Sequence, residues 1–424
     1  MKKENIVLLA LPVFACSILL YLSGSGDFEF FTEEEPVTLS QKTEAVKRYN
    51  SSKEQEYDKQ LESGFDEYQT IYQEEHAAFK AQINDQWGEF KPSSDTEWVS
   101  YVDQGHIRRS INYESGKVSV ELLVTETESL NTSVKRHLEK EVFSLLNTTE
   151  AEAFRVDEVA QKVEARLPSN FRMIKRGVPS EKRLFSFDDL VSVKFNNSGF
   201  VKVSADTINA VTNDVRPAKV DGKKIIRSSF SINKSTLQKA IRYADVVQAS
   251  SEKQEVPAAL IYAIMESESS FNPMAKSHIP AYGLMQIVPR SAGKDATRHL
   301  YGKAKILAPS YLYSTDNNIN VGSAYLHVLY YKYLRKVKDP QSRIYCAIAA
   351  YNTGTTNVAR AFIKKKNFNK AVKHINRMSS KEVYQTLVKR LPYKETRNYV
   401  KKVSKKMKKY LEVDSIVGSV YIRS

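Results

Sequence analysis

Three changes of hydrophobic rhythm divide the chain. Ile6 to Leu22 is almost continuously apolar behind a basic start, Met1-Lys2-Lys3, and Ser23-Gly24-Ser25-Gly26-Asp27 ends the run. Such a segment is an export signal or membrane anchor, not part of a fold. From 54 to 80 the chain is rich in Glu, Gln, Lys and Ala. There Tyr57, Leu61, Phe65, Tyr68, Ile71 and Tyr72 recur mostly three and four apart, which predicts an amphipathic helix. Past Trp87 the rhythm becomes alternation. Ile107, Arg109, Ile111 and Tyr113 share a face, Glu114-Ser115-Gly116-Lys117 offers a turn, and Val118, Val120, Leu122 and Val124 alternate again. Helices are expected at 133–146 and 151–167, and further strands at 200–203 and 224–232. Ser235 is a good N-cap, and Leu237, Ala240, Ile241, Ala244 and Val247 open a stretch of helical spacing. Helices follow at 257–267, 289–298, 317–336, 341–350, 354–363, 380–389 and 395–409.

The expected fold is therefore mainly α. A signal or anchor (1–26) precedes an acidic helical stalk or linker (27–80), a small α+β accessory domain (81–232) and a helical domain (235–424). The N-terminus admits three readings. Val13-Phe14-Ala15-Cys16 resembles a lipidation motif with Cys16 as the acceptor. Seventeen apolar residues, at about 1.5 Å each, only just span a bilayer core as an uncleaved anchor. Cleavage near Ser25 is the third. All three export the chain to the periplasmic side, and lipidation of Cys16 would place it at the outer membrane.

Charge changes the picture next. The formal net charge is +15, which invites an anionic partner. The excess is uneven: 27–92 carries 7 basic and 16 acidic residues, whereas 235–424 carries 33 and 12. Export argues against a nucleic acid. Six lysines, Lys401, Lys402, Lys405, Lys406, Lys408 and Lys409, stand close together on the last expected helix. The histidines are scattered without metal-ligand spacing, and neither a P-loop nor a dinucleotide fingerprint occurs. No metal or organic cofactor is called for.

The chemistry concentrates in 256–290. Pro257 suits the first turn of a helix. Leu260, Ile261, Ile264 and Met265 give it a buried face. Glu268 falls three residues after Met265 and four after Ile264, on that face and at the helix's C-terminal end. Glu266 points elsewhere. A carboxyl beside an apolar core has a raised pKa, and a helix C-terminus also disfavours its charged form. A protonated carboxyl in a cleft can serve as the acid in glycoside cleavage. Spacing alone leaves a plain solvated helix end as the alternative.

Four motifs then occur in order. They are Glu268-Ser269-Ser270-Phe271-Asn272-Pro273 with Ala275-Lys276-Ser277 and Gly283-Leu284-Met285-Gln286-Ile287; Asn318-Ile319 with Gly322 and Tyr325-Leu326; Ala349-Ala350-Tyr351-Asn352-Thr353-Gly354; and Glu395-Thr396-Arg397-Asn398-Tyr399-Val400. Together they resemble the signature of the soluble lytic transglycosylase family. Trp87-Gly88 and the hairpin around 106–124 resemble the accessory region of its membrane-bound members. The likeness covers about 82–410. Two positions depart from the family pattern: Pro280 stands for a usual Gly, and Ser314-Thr315 for a usual Asp-Pro.

The resemblance implies a lysozyme-like helical catalytic domain that cuts peptidoglycan glycan strands. It places the catalytic acid at Glu268. Ser277, Met285, Gln286, Tyr351, Asn352, Glu395 and Tyr399 fall on substrate-binding positions, with Met285 equally readable as core. It also implies non-hydrolytic cleavage between N-acetylmuramic acid and N-acetylglucosamine. Glu268 would act as acid and then as base, leaving a 1,6-anhydro ring. A hydrolytic muramidase and an inactive peptidoglycan-binding protein are the alternatives.

Overall fold

The computed structural model describes residues 39–421 except 129–130, 168–172, 185–192, 196–200, 204–213, 218, 221, 233–234 and 278–279. The expected membrane segment and Cys16 lie outside the described residues. Among the described residues no helix is long and apolar enough to cross a membrane. The chain divides into two units, Met1–Glu56 and Tyr57–Ser424, and the boundary falls inside one continuous helix, Leu39–Trp87.

From Tyr57 onward that helix departs from the stalk or linker expected through residue 80. Its amphipathic spacing is real, and the face it creates is covered. Leu61, Phe65, Tyr68, Ile71 and Tyr72 all lie in the main hydrophobic core. Burying each such side chain contributes about 1.5–3 kcal/mol, which a solvated spacer would forgo. At the rim, Arg290 bonds Asp66 at 2.7 Å, Lys294 bonds Glu62 at 2.6 Å and Arg298 bonds Asp58 at 3.0 Å. Exposed pairs of this kind contribute little individually and mainly set the register of the helix on its neighbours.

The strands are β1 (Glu97–Val102), β2 (Ile107–Asn112), β3 (Lys117–Thr125), β4 (Ile174–Lys175), β5 (Val193–Phe195), β6 (Val201–Val203), β7 (Asp214–Pro217), β8 (Lys223–Ser231) and β9 (Ile306–Leu307). Five of them form an antiparallel sheet in the order β1-β2-β3-β8-β7. The expected hairpin is present, with Asn112 opposite Lys117. Ile107, Ile111, Val118, Val120 and Leu122 point into the core, under the helix Thr132–Asn147. Arg109 shares that inward face, where the Glu141 carboxylate of the helix receives it. On the opposite face Tyr101, Leu123 and Ile225 pack on Ile83 and Trp87 from the end of the long helix. Val99 packs beside them, and most other positions on that face are polar.

The remainder is helical, as expected, with adjustments. The single helix read at 151–167 is broken into Glu150–Arg155 and Glu158–Arg166, because Asp157 caps a fresh start by accepting from Ala160 N. Pro289–Gly293 is a π-helical turn ahead of the helix Lys294–Tyr301, and Thr315–His327 runs into a second π-helical turn, Val328–Tyr333. The helix Phe368–Ile375 escaped the sequence reading. It is short and follows Lys364-Lys365-Lys366, but Asn367 caps it by accepting from Lys370 N. Helix Ala258–Glu268 packs on the long terminal helix Lys394–Tyr421, and that packing builds the site.

Candidate active site

Helix Ala258–Glu268 is buried along Leu260, Ile261, Ala263, Ile264 and Met265, so its direction is fixed by the core. It stops at Glu268 because Ser269 closes it. The Ser269 hydroxyl donates to Met265 O at 3.0 Å and reaches Leu284 O at 2.8 Å. Ser270 and Phe271 then take φ of 52° and 67°, in the left-handed region that non-glycine residues enter at a cost. Asn272 holds the reversed chain by accepting from Met274 N at 3.0 Å and donating to Asp95 O at 3.3 Å.

The other motifs support this turn. Gly283 has φ +72°, and a Cβ there would lie 2.3 Å from Asn318 Nδ2. Buried Asn318 explains the closeness. Its amide donates to Tyr282 O and Leu312 O, both at 2.8 Å, and accepts from Met285 N at 2.9 Å. Gly322 leaves room for the Met285 thioether, which a Cβ would meet at 2.2 Å. The motif residues thus hold the loop opposite the acid through backbone hydrogen bonds and close packing.

Glu268 opens on a cleft of about 970 Å³. Burial pushes its pKa up to about 7. The Tyr399 hydroxyl and the Lys402 ammonium pull against that rise, while Asp95 and Glu395 add to it. Tyr399 donates to Glu268 Oε1 at 2.5 Å. Tyr399 itself is buried, and burial beside this carboxyl drives its phenol far above the usual range. The pair shares a proton-rich, water-poor corner in which the carboxyl stays largely protonated up to neutrality.

Of the other expected site residues, Ser277, Gln286, Asn352 and Glu395 line the cleft with Glu268 and Tyr399. The Ser277 hydroxyl accepts from Ala281 N at 3.2 Å, closing its own loop. Gln286, at φ 46°, donates to Gly283 O at 3.1 Å. Asn352 accepts from the Thr396 hydroxyl at 2.7 Å, which ties the third motif to the fourth. Met285 differs from the cleft-lining expectation. Its side chain is fully buried, because Gly322 makes a place for it in the core. Tyr351 sits behind the cleft surface, its hydroxyl donating to Met285 O at 2.7 Å.

Several cleft residues escaped the sequence reading. Tyr72, Phe90, Asp95, Trp98 and Asp157 form a wall contributed by the long helix and the α+β part. Lys276 reaches across to that wall, 3.4 Å from Asp157 and 5.1 Å from the Tyr72 ring. The six-lysine run also divides by helical geometry. Lys402 donates to Ser267 O at 3.1 Å and Lys406 to Glu266 O at 2.9 Å, while Lys409 bonds the Glu266 carboxylate at 3.1 Å. Lys402 and Lys406 satisfy carbonyls at the C-terminal end of the acid's own helix and Lys409 pairs with its Glu266, whereas Lys401, Lys405 and Lys408 face solvent. Burial opposes ionisation of Glu266, but Tyr410, Lys406 and Lys409 outweigh it and hold its carboxyl below the usual range. The spacing of Lys402 from Tyr399, three residues on one helix, was the available signal.

The Ser314-Thr315 departure has a physical reading. Thr315, at the start of its helix, bonds the buried Glu150 carboxyl through both its hydroxyl and its backbone N–H. Burial raises the Glu150 pKa, and Ser180 donates to the same group at 2.7 Å. The two residues thus dock the α+β part onto the helical part.

The family model described as the transglycosylase SLT domain matches residues 245–374. The membrane-bound lytic murein transglycosylase C of Salmonella arizonae is 33% identical over 344 residues, which is 78% of this chain and 87% of that protein. The protein of the same name from Serratia proteamaculans is 33% identical over 343 residues, with the same coverage. Among solved structures, the 70 kDa soluble lytic transglycosylase of Escherichia coli aligns at 26% identity and a TM-score of 0.31, over 39% of this chain and 23% of that one. At that identity and coverage of the curated relatives, the chain belongs to the membrane-bound lytic murein transglycosylase C family.

Proposed function

We propose that this protein cleaves peptidoglycan as a lytic transglycosylase, at the bond from N-acetylmuramic acid to N-acetylglucosamine, with Glu268 as the catalytic group. The carrying observation is the Glu268 carboxyl at the cleft, held by the Tyr399 hydroxyl at 2.5 Å in a corner where burial pushes its pKa up to about 7. A group poised at the working pH can give a proton and then take one, whereas a carboxylate nucleophile has to be ionised from the start. Glu268 protonates the glycosidic oxygen as the C1–O bond breaks, and Tyr399 and Lys402 steady the carboxylate that forms. The N-acetyl oxygen of the substrate shields the positive C1. Glu268 then accepts the proton of the C6 hydroxyl as that oxygen closes on C1, so no water enters the product.

Ser277, Gln286 and Asn352 are the polar groups placed to hold the sugar's acetamido and hydroxyl groups. Glu395 stands at the same cleft and raises the Glu268 pKa. The helical part from Ser235 carries the chemistry, and the α+β part at 81–232 supplies the opposing wall. The apolar run at 6–22 and the membrane-bound relatives support attachment to a membrane on the periplasmic side, through lipidated Cys16 or an uncleaved anchor. Mass spectrometry of the intact protein from membranes distinguishes the two.

Product masses from purified peptidoglycan test the reaction. Anhydro products, one water lighter than hydrolysed ones, are expected, and Glu268→Gln should abolish them. Free reducing ends would indicate a hydrolytic muramidase, and absence of turnover a binding protein.

A further inference from the structure

Much of the cation excess of the helical part stands away from the catalytic centre. From 335 to 377 the chain carries 11 basic residues and one acid, Asp339. Arg343 and Arg360 are half-buried, and the other nine basic residues are exposed. None of them lines the catalytic cleft.

The fold gathers the nine onto one surface. Lys364-Lys365-Lys366 link the helices Thr355–Ile363 and Phe368–Ile375. Lys370 and Lys373 follow on the exposed side of the second helix, and Arg377 comes just past its end. The segment leaving the second π-helical turn is tied to the same helix. Lys336 donates to Asn369 Oδ1 at 3.0 Å, and Asn376 bonds Lys336 O and Lys338 N, both at 2.9 Å. Those bonds bring Arg335, Lys336 and Lys338 beside the helix that carries Lys370 and Lys373. Among the described residues none of the nine is ion-paired. The acids nearest in sequence are occupied at helix ends: Asp339 accepts from Ser342 N at 2.7 Å and Glu382 from Ser379 N at 2.8 Å.

Unpaired like charges crowded together repel one another, and a negatively charged partner relieves that repulsion. Seven of the nine are lysines, strongly hydrated point charges on flexible stems, not the planar forks that grip one anion in a fixed geometry. Such a face matches a plane of anionic headgroups, which calls for density of charge and not for a shaped pocket.

We infer that this face rests on a bilayer surface of anionic lipid headgroups. On the reading under Proposed function, membrane attachment keeps the chain at high effective concentration beside such a bilayer. The folded part then touches the membrane itself, in addition to the N-terminal attachment. Salt loosens the contact, because this attraction fades over about 10 Å at roughly 0.1 M ionic strength.

The test is lysine acetylation of the full chain in vesicles, read peptide by peptide by mass spectrometry. One set of vesicles is phosphatidylcholine alone, and the other is an equal mixture with phosphatidylglycerol. Lys364, Lys365, Lys366, Lys370 and Lys373 should react about fivefold or more slowly on the mixed vesicles, and high salt should restore their rates. Lys135 and Lys140, exposed on the helix Thr132–Asn147, should react equally on both. Lys365→Glu together with Lys366→Glu should return Lys370 and Lys373 to their rates on neutral vesicles, with the unfolding midpoint unchanged. Equal rates on both vesicles in the parent chain, slowing shared by Lys135 and Lys140, or protection untouched by the double variant would overturn the assignment. Protection by purified peptidoglycan on neutral vesicles, with none from the mixed lipid, would give the face to the wall and overturn it too. Flotation with neutral vesicles reads the N-terminal attachment separately, and a chain that fails to float is compared by adding vesicles of both kinds to it. No step needs turnover, so the outcome is independent of anhydro-product formation.

Discussion

Replacing Glu268 by Gln should stabilise the protein, and the gain should appear only as pH rises. The folded carboxyl has a pKa of about 7 against an ordinary value of 4.5. A group raised in the fold supports stability fully below its unfolded pKa, and that support is lost as pH climbs through the folded value. Below pH 4.5 Glu and Gln are both neutral, and either offers the Tyr399 hydroxyl an oxygen. Between 4.5 and about 7 the unfolded chain releases the proton while the folded chain retains it, so the parent protein loses ground that the variant keeps. At about 1.4 kcal/mol per pH unit, the difference grows to about 3 kcal/mol. That figure is an upper bound, because one side of the carboxyl meets cleft water. Urea unfolding of both proteins from pH 4 to 8.5, followed by tyrosine and tryptophan fluorescence, reads the difference directly. It should be flat below 4.5, rise to neutrality and flatten again. A difference that is constant with pH, or that shrinks as pH rises, would refute the placement of this acid in an apolar corner.

Other outcomes follow from the same geometry. Tyr399→Phe removes a hydrogen bond to the carboxylate worth about 1.5–3 kcal/mol, so the basic limb of the pH–rate profile should move up by about one to two pH units while the rate falls; a limb that stays put would dismiss Tyr399 from this role. The lysine run should split by face. Changing Lys401, Lys405 and Lys408 to Gln should weaken sedimentation with whole cell walls and leave stability nearly unchanged. Changing Lys402, Lys406 and Lys409 should cost about 1–3 kcal/mol in a denaturant melt, because carbonyls and the Glu266 carboxylate lose their partners. Gly283→Ala forces φ +72° on a residue with a Cβ and drives that atom to 2.6 Å from Leu312 O, so a loss of about 1–3 kcal/mol should accompany reduced activity.

Much of this was legible in the chain because it is local. Helical spacing gave the acid's helix, and alternation gave the hairpin from Ile107 to Thr125. The position of Glu268 after Ile264 and Met265 placed it beside the core. The missing parts are long-range. Tyr72 and Trp98 enter the cleft only through docking of the α+β part, and no periodicity reports that. Lys402 meets the acid's helix across a separation of 135 residues. Met285 belonged to a motif, yet motif membership does not distinguish a side chain that lines a cleft from one whose backbone shapes it; Gly322, far along the chain, decided that. Apolar spacing from Leu61 to Tyr72 announced a buried face without naming its partner, which is why the segment read equally well as a spacer.

The origin of the cleft's parts also determines when the enzyme can become dangerous. Glu268 takes its hydrogen bond from a residue 131 positions later, and the facing wall comes from residues made roughly 110 to 200 positions earlier. A chain made only as far as Glu268 therefore holds the carboxyl and the residues of the facing wall, but not Tyr399 or Lys402, which tune it. Cutting competence arrives last, as a property of the finished fold. An enzyme that acts on peptidoglycan thereby has a delay built into its chain order, between the making of its acid and the arrival of the groups that tune it.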